Sequence, residues 1–282
     1  MLNNRVILSK NGTLSDLSTE LQDFTAGTST INIVGADDYL YIGSDFPFNN
    51  RYFDLGTVSA TTSAISEVAI WTNSAWIPAV EIVDETSVGG KTMAQNGVVS
   101  WVPDRLYGWT RSDTESNGVV ITGLSTVTIY DLFWTRIKFS ADLTGTTSLK
   151  HVGWKFSNDE HLALEYPDLL RSEVLTNFEA GKTDWREQHI LSAEKIIEDL
   201  RSKKVIMSGS QILTHQQFRY ASVHRVAAII FNAFGKAFEE NYKKAMGDYA
   251  RALKEAQYNI DVNQNGDMDV EDRFTDQGFM TR

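Results

Sequence analysis

The chain has no cysteine. Disulfides, thiolate metal ligands and cysteine nucleophiles are therefore excluded, and a reducing compartment fits without being required. Long apolar runs are missing too: no stretch approaches the ~20 residues that a membrane-spanning helix needs. Residues Met1 to Gly12 carry Arg5, Lys10 and only a short apolar run, so no signal peptide is expected there. Positive charge is scarce. Lys and Arg number 26 against 37 Asp and Glu, a formal net charge of −11. Such a field excludes general nucleic-acid binding and leaves room only for a local basic patch. Familiar catalytic signatures are also lacking. There is no H-E-x-x-H and no G-x-S-x-G, and none of His151, His161, His189, His215 and His224 has a second His four residues away. The many carboxylates leave a glycosidase pair open, but spacing singles none out. The expectation is a soluble protein that is not an enzyme and has no membrane partner.

Two Gly-Lys-Thr triplets, Gly90-Lys91-Thr92 and Gly181-Lys182-Thr183, raise a nucleotide reading. A phosphate-binding loop needs a further glycine five residues before each triplet, to free backbone amides. Glu85 and Thr176 stand there instead, and Asp184 would repel phosphate from the second triplet.

What the chain does contain is two kinds of patterning. A length of 282 residues suits two domains. From Arg5 to about Phe156, short runs rich in Val, Ile, Thr, Trp and Tyr alternate with turn residues. Candidate strands include Thr30–Val34, Ile65–Trp71, Trp76–Val83, Gly97–Val102, Val119–Thr122, Val127–Ser140 and His151–Phe156. Many short strands with little helical pattern between them predict an antiparallel β-sandwich or jelly roll. On the longest run, Phe133, Thr135, Ile137 and Phe139 face one way and Trp134, Arg136 and Lys138 the other. That second face is either a sugar- or partner-binding surface, or Trp134 is covered and the cations are solvated. The covered reading is preferred because Trp is buried on average.

The pattern changes after residue 156. Residues 157–183 form a packed connector, with a short helix expected over Asp168–Phe178. Asp184 and Glu187 have capping-box spacing, and Ile190, Ala193, Ile197 and Leu200 follow on one helical face. A second helix is expected over Thr214–Phe234, apolar almost all round from Val226, with Gly235 as a break. Phe238, Tyr242, Ala245, Met246, Tyr249, Leu253 and Ala256 trace a third stripe. It reads as core packing between helices, or as a subunit interface. The fold class is thus α+β in two domains: a β-sandwich over 1–156, a connector over 157–183, a helical bundle over 184–258, and a calcium-type loop with a tail over 259–282.

That loop is the best motif in the chain. Asp261, Asn263 and Asn265 stand at positions 1, 3 and 5 of a calcium loop, Gly266 at the turn position 6, and Asp267 offers its carbonyl at 7. Asp269 would act through water, and Asp272 replaces the usual bidentate Glu at 12, which weakens binding. A helix ending near Tyr258 and another beginning over Val270–Phe274 would flank it. The cofactor expected is a divalent cation, calcium first; the plain alternative is an Asn265-Gly266 turn with solvated acids. Beyond the loop, Phe274, Phe279, Met280 and Arg282 lie in a short polar tail and read as a segment that binds a partner.

The β-rich half, with Tyr41-Ile42-Gly43-Ser44-Asp45-Phe46-Pro47-Phe48 and Phe133-Trp134-Thr135-Arg136-Ile137-Lys138-Phe139-Ser140, resembles accessory β-sandwich modules of tailed-bacteriophage virion proteins. The stretch from Asp184 to Gln257 resembles the helical head-to-tail connector (adaptor) proteins of those phages, and the loop resembles a single EF-hand or dockerin repeat. Adaptors of that kind are usually shorter and all-helical, so the β half is a departure. The resemblance implies a virion neck protein, made in the host cytoplasm. It implies a ring of about twelve copies that encloses DNA and binds the portal and other neck or tail proteins. An acidic chain suits a DNA conduit. The competing expectation is a carbohydrate-binding module on a tail fibre or secreted protein. Exposed Trp71, Trp76, Trp101, Trp109 and Trp134 would favour sugar; buried, they favour assembly.

Overall fold

A computed structural model of the chain describes residues 4–11, 13–22, 27–34, 38–72, 75–112, 132–267 and 272–275. Over the described residues it is α+β, with antiparallel sheets and six α-helices, most of them C-terminal. The chain divides into two compact units, Met1–Gly153 with Asn263–Asp267, and Trp154–Val262 with Met268–Arg282. Among the described residues no helix is long and apolar enough to cross a membrane.

The first unit holds two sheets. In one, β1 (Arg5–Lys10), β2 (Thr13–Asp16), β4 (Tyr39–Ser44), β6 (Ile65–Trp71), β7 (Trp76–Pro78), β10 (Arg111–Ser112) and β11 (Leu132–Phe139) follow the order β2-β1-β4-β11-β6-β7, with β10 on β11. In the other, β3 (Ser29–Thr30), β5 (Asn50–Thr57), β8 (Glu81–Asp84), β9 (Gly97–Val102) and β12 (Ser148–Gly153) follow the order β3-β12-β5-β9-β8. The short α1 (Ser18–Gln22) packs on β12 and β1. One apolar core joins both sheets, with Ile42, Ile70 and Ile137 from the first and Phe53, Val99 and Val152 from the second. Each such fully buried side chain contributes about 1.5–3 kcal/mol.

Ile65–Trp71 and Gly97–Val102 form as the alternation predicts. The strand expected over Trp76–Val83 does not run through. Pro78 has no N–H to continue a ladder, and the chain changes sheet just after it. Ala79 N donates to Val68 O at 2.7 Å, and Val80 N to Val102 O at 2.9 Å. The strand expected over Thr30–Val34 shrinks to β3, and His151–Phe156 shifts to β12. Val119–Thr122 and the start of Val127–Ser140 lie outside the described residues.

The second unit contains α2 (Asp159–Glu165), α3 (Ser172–Phe178), α4 (Arg186–Ser202), α5 (Arg219–Ala233) and α6 (Glu239–Glu255), then β13 (Gln257–Asn259) and β14 (Arg273–Thr275). Trp154 and Phe156 pack here, against α4 and the Phe218 ring. Gly235 takes a φ of +77°, which ends α5 and turns the chain into α6. Residues of the 157–183 stretch are core: Leu162, Leu169 and Leu175 pack with Val226 and Ile230 of α5.

The capping box expected at Asp184 and Glu187 does not form. The Asp184 carboxylate accepts from Arg186 N at 3.0 Å, and Glu187 pairs with Lys182 at 3.5 Å. Trp185 occupies the cap position without a side-chain cap. Its indole is fully buried, donates to Leu169 O at 2.8 Å and meets the edge of Phe178 at 4.9 Å. Burying that ring sets the helix entry, because an aromatic core side chain is worth more than one cap. A capping box does form at α2, where Asn158 accepts from His161 N at 3.0 Å and His161 Nδ1 accepts from Asn158 N at 3.3 Å.

Candidate functional site

The calcium-type loop leaves α6 through β13, and its flanks are not two helices. The helix expected from Val270 is replaced by β14, which pairs with β13 through Tyr258 and Phe274. In the second unit, Asp261 and Asp272, loop positions 1 and 12, come together. Asp272 O accepts from Ile260 N at 3.0 Å, and Asp272 Oδ1 accepts from Val262 N at 2.9 Å, so the neighbours of Asp261 on both sides are tied to Asp272. Gln211 anchors the same point: its carbonyl accepts from Asp261 N at 2.8 Å and its amide donates to Asp261 O at 3.0 Å. Both aspartates are fully buried.

Residues Asn263–Asp267 belong to the first unit. Gly266 has φ +75°, as position 6 requires, and a β-carbon there would lie 2.9 Å from the Trp109 ring. Asn265 Oδ1 accepts from Asp267 N at 2.7 Å. The Asp267 carboxylate pairs with Arg105. Asp269, Phe279, Met280 and Arg282 lie outside the described residues, and Phe274 is described as a strand residue only. Among the described residues no group of three or more His, Asp or Glu is arranged to hold a metal ion.

A polar relay that spacing did not reveal lies inside the helical unit. His189 Nε2 is 3.1 Å from Asp159 Oδ1, and its Nδ1 is 2.7 Å from the Ser157 hydroxyl. Ser157 Oγ lies 2.7 Å from Ser222 Oγ, and the Ser192 hydroxyl donates to Ser222 O at 3.1 Å. A carboxylate only accepts, so Nε2 carries the proton and Nδ1 accepts from Ser157. Burial pulls His189 below its ordinary value, as do the Lys155 and His161 charges, against the opposing bond and charge of Asp159. Burial raises the Asp159 carboxyl, but the His189 bond and charge, with the Trp185 amide, hold it below its usual range. A hydroxyl on imidazole on carboxylate is the order that activates a nucleophile. Here Ser157 and His189 are buried and the hydroxyl is shared with Ser222, so a substrate has no approach. The relay pins the start of α2 to α4 and α5.

The outer face of the first sheet answers the question raised by Trp134-x-Arg136. Trp134 is buried over Gly43, with Ile7, Tyr41 and Trp71 around it. Arg136 Nη2 reaches Glu67 at 2.8 Å, and the guanidinium carbon lies 4.8 Å from the Tyr39 ring centre and 5.1 Å from that of Trp76. The cation covers the two half-exposed rings that would otherwise offer a stacking platform. Trp71, Trp101 and Trp109 are buried as well.

The Gly-Lys-Thr triplets have structural places. Gly89 and Gly90 take φ of +58° and +77° in the turn between β8 and β9. Lys182 is almost fully covered, 5.6 Å from the Phe178 ring centre and 5.7 Å from that of Trp185, with Glu179 and Glu187 beside it. No known family, no curated protein and no solved structure matches the chain.

Proposed function

We propose that this chain is a structural assembly protein of a tailed bacteriophage, the head-to-tail adaptor that forms a ring between portal and tail. The observation that carries the reading is where the aromatic rings lie. Trp71, Trp101, Trp109 and Trp134 are inside the β unit, and Arg136 covers Trp76. A sugar-binding module needs open ring faces, so this placement favours assembly over carbohydrate binding. The β unit is read as a sandwich of the jelly-roll kind, because β4, β5 and β6 fall alternately in the two sheets. The helical unit is read as a second domain, the adaptor proper. A net charge of −11 keeps a ring of such chains from adhering to the DNA it encloses.

Two accessory roles belong to the same reading. Asp261, Asn263, Asn265, Asp267 and Asp272, with Asp269 through water, bind calcium and fix where the tail departs; the clasp of Asp272 around Asp261 supports this. Phe274, Phe279, Met280 and Arg282 attach to the portal, since apolar residues at a chain end gain burial only against another surface. Many copies in a ring would offset the ordering cost of each tail. The test is the mass and symmetry of the purified protein, with and without its portal, by negative-stain imaging. Rings of about twelve that join the portal are expected. A protein that stays monomeric and ignores the portal refutes the adaptor reading, and saturable glycan binding by that monomer would replace it.

A further inference from the structure

Asparagine followed by glycine is a chemically labile pair. The backbone nitrogen of the second residue can attack the side-chain amide carbon of the first, and glycine leaves that nitrogen unshielded because it has no β-carbon. Such pairs stand at Asn11, Asn96, Asn117 and Asn265. Gly12, Asn117 and Gly118 lie outside the described residues, so the comparison is between Asn96-Gly97 and Asn265-Gly266.

Asn96-Gly97 is held by the sheet. Asn96 Oδ1 accepts from Leu55 N at 2.8 Å, which anchors the amide to the neighbouring strand β5. Gly97 opens β9 and pairs with Phe53 of β5. A β-carbon on Gly97 would lie 2.5 Å from the Glu85 carbonyl, so this glycine packs directly against backbone. Ring closure here requires the start of β9 to leave the sheet, and such local opening costs free energy.

Asn265-Gly266 differs at each point. The pair lies between β13 and β14, in no strand or helix, and Asn265 is exposed. Its Oδ1 accepts from Asp267 N at 2.7 Å, a contact that folds the side chain back across the intervening Gly266. This is the oxygen that gains negative charge when the amide carbon is attacked, and a backbone N–H already points at it. Gly266 takes φ +75°, and a β-carbon there would lie 2.9 Å from the Trp109 ring. The turn and its packing both call for glycine, so the fold itself places an unshielded nitrogen after Asn265.

We propose that Asn265 is a site of self-modification in the folded chain. Gly266 N gives its proton to solvent base and bonds to Asn265 Cγ. The Cγ–Nδ2 bond breaks, ammonia leaves with a proton from solvent, and a five-membered succinimide remains. Water then opens the ring at either carbonyl, giving aspartate or isoaspartate. One water is consumed and one ammonia released, with no oxidant, reductant or second protein. The product carries a carboxylate at residue 265, and in the isoaspartate form the backbone is longer by one methylene. The inference is independent of the adaptor and calcium readings: the reaction needs neither a ring nor a cation.

The test is to hold the full chain, folded, at mildly alkaline pH in 18O-labelled water, then digest it with trypsin and follow the peptides by mass spectrometry. Peptide 255–273 carries Asn265 together with Asn259 and Asn263, and peptide 92–105 carries Asn96. Conversion at Asn265 about tenfold or more faster than at Asn96 is expected, the factor that an opening cost of about 1.4 kcal/mol imposes on the sheet-bound pair. Fragmentation should place the 18O at residue 265, and an isoaspartyl methyltransferase should label part of the product. Asn259 and Asn263 precede Ile260 and Gln264 and should stay intact. In concentrated urea both Asn-Gly pairs should react at similar rates, because the fold no longer separates them. Asn265→Gln, which would need a six-membered ring, should remove the labelled product. A folded chain in which Asn265 reacts no faster than Asn96 overturns the proposal. So does product without 18O, or an Asn265 rate that rises about tenfold on unfolding, since the fold would then protect the pair by about 1.4 kcal/mol.

Discussion

Gly43 on β4 stands opposite Trp134 on β11, and the contact is close enough to decide the sign of a substitution. A β-carbon built on Gly43 would lie 2.7 Å from Cη2 and Cζ3 of the indole. Carbon atoms prefer about 3.5–4.0 Å, so the ring must move by the better part of an ångström. It has little room. Ile7, Tyr41 and Trp71 surround it, and Trp109 Nε1 donates to Trp134 O at 3.2 Å, which holds the backbone. Two effects of Gly43→Ala oppose each other. Restricting the unfolded chain stabilises by about 0.4–1 kcal/mol. Overpacking a tight core costs about 1–3 kcal/mol. The clash wins, and a net loss of roughly 0.5–2 kcal/mol is expected.

The double-mutant cycle with Trp134→Phe isolates the cause. The smaller ring leaves space for a methyl group at residue 43, so the two substitutions together should cost less than their sum, by about 0.5 kcal/mol or more. Urea unfolding followed by circular dichroism measures each variant, with the midpoint compared at equal slope. A neutral or stabilising Gly43→Ala would refute the reasoning, and strictly additive costs would refute the assignment to Trp134.

Two other perturbations test the helical unit and the loop. Because burial lowers His189 below its ordinary value, the unfolded chain takes up a proton that the folded relay refuses. Stability is therefore complete above about pH 6.5 and falls as pH drops toward the folded value. His161 and His224 are lowered too and act with the same sign. His189→Gln should flatten the loss measured by urea titration between about pH 7.5 and 5.5; an unchanged slope would show that the relay does not carry it. For the loop, calcium at about one hundred times its dissociation constant should stabilise the native chain by about 2.7 kcal/mol. Asp261→Ala should abolish that gain in a melting assay, and equal melting in calcium and chelator would sink the metal reading.

How far the sequence could be read depends on the range over which each feature is specified. Period two over Ile65–Trp71 and period 3.6 over Phe238–Ala256 are properties of neighbouring residues, and both elements form. The burial of Trp134 was also legible, since an indole is buried on average. What fails is a local rule overruled by a distant contact. Asp184 and Glu187 have the spacing of a cap, yet Leu169 and Phe178 bury Trp185 and set the helix start. Whether the chain at Pro78 ends a strand or passes to a second sheet depends on Val68 and Val102. α2 was missed because its cap pairs Asn158 with His161 rather than with Glu or Gln.

The candidate sites divide the same way. The calcium spacing is contiguous and therefore readable, while the positive φ of Gly266 is common to such a loop and to a plain Asn265-Gly266 turn. Its flanks were misjudged because the choice between helix and strand after Asp272 is made by β13, which lies before the loop. The relay has no contiguous signature at all. Ser157, His189 and Ser222 meet only after three helical elements pack. A sequence scan for catalytic or metal spacing tests residues within one turn or one loop. It is blind to chemistry assembled by packing, and the contact of Ser157 with His189 and Ser222 is of that kind, joining residues 32 and 65 positions apart.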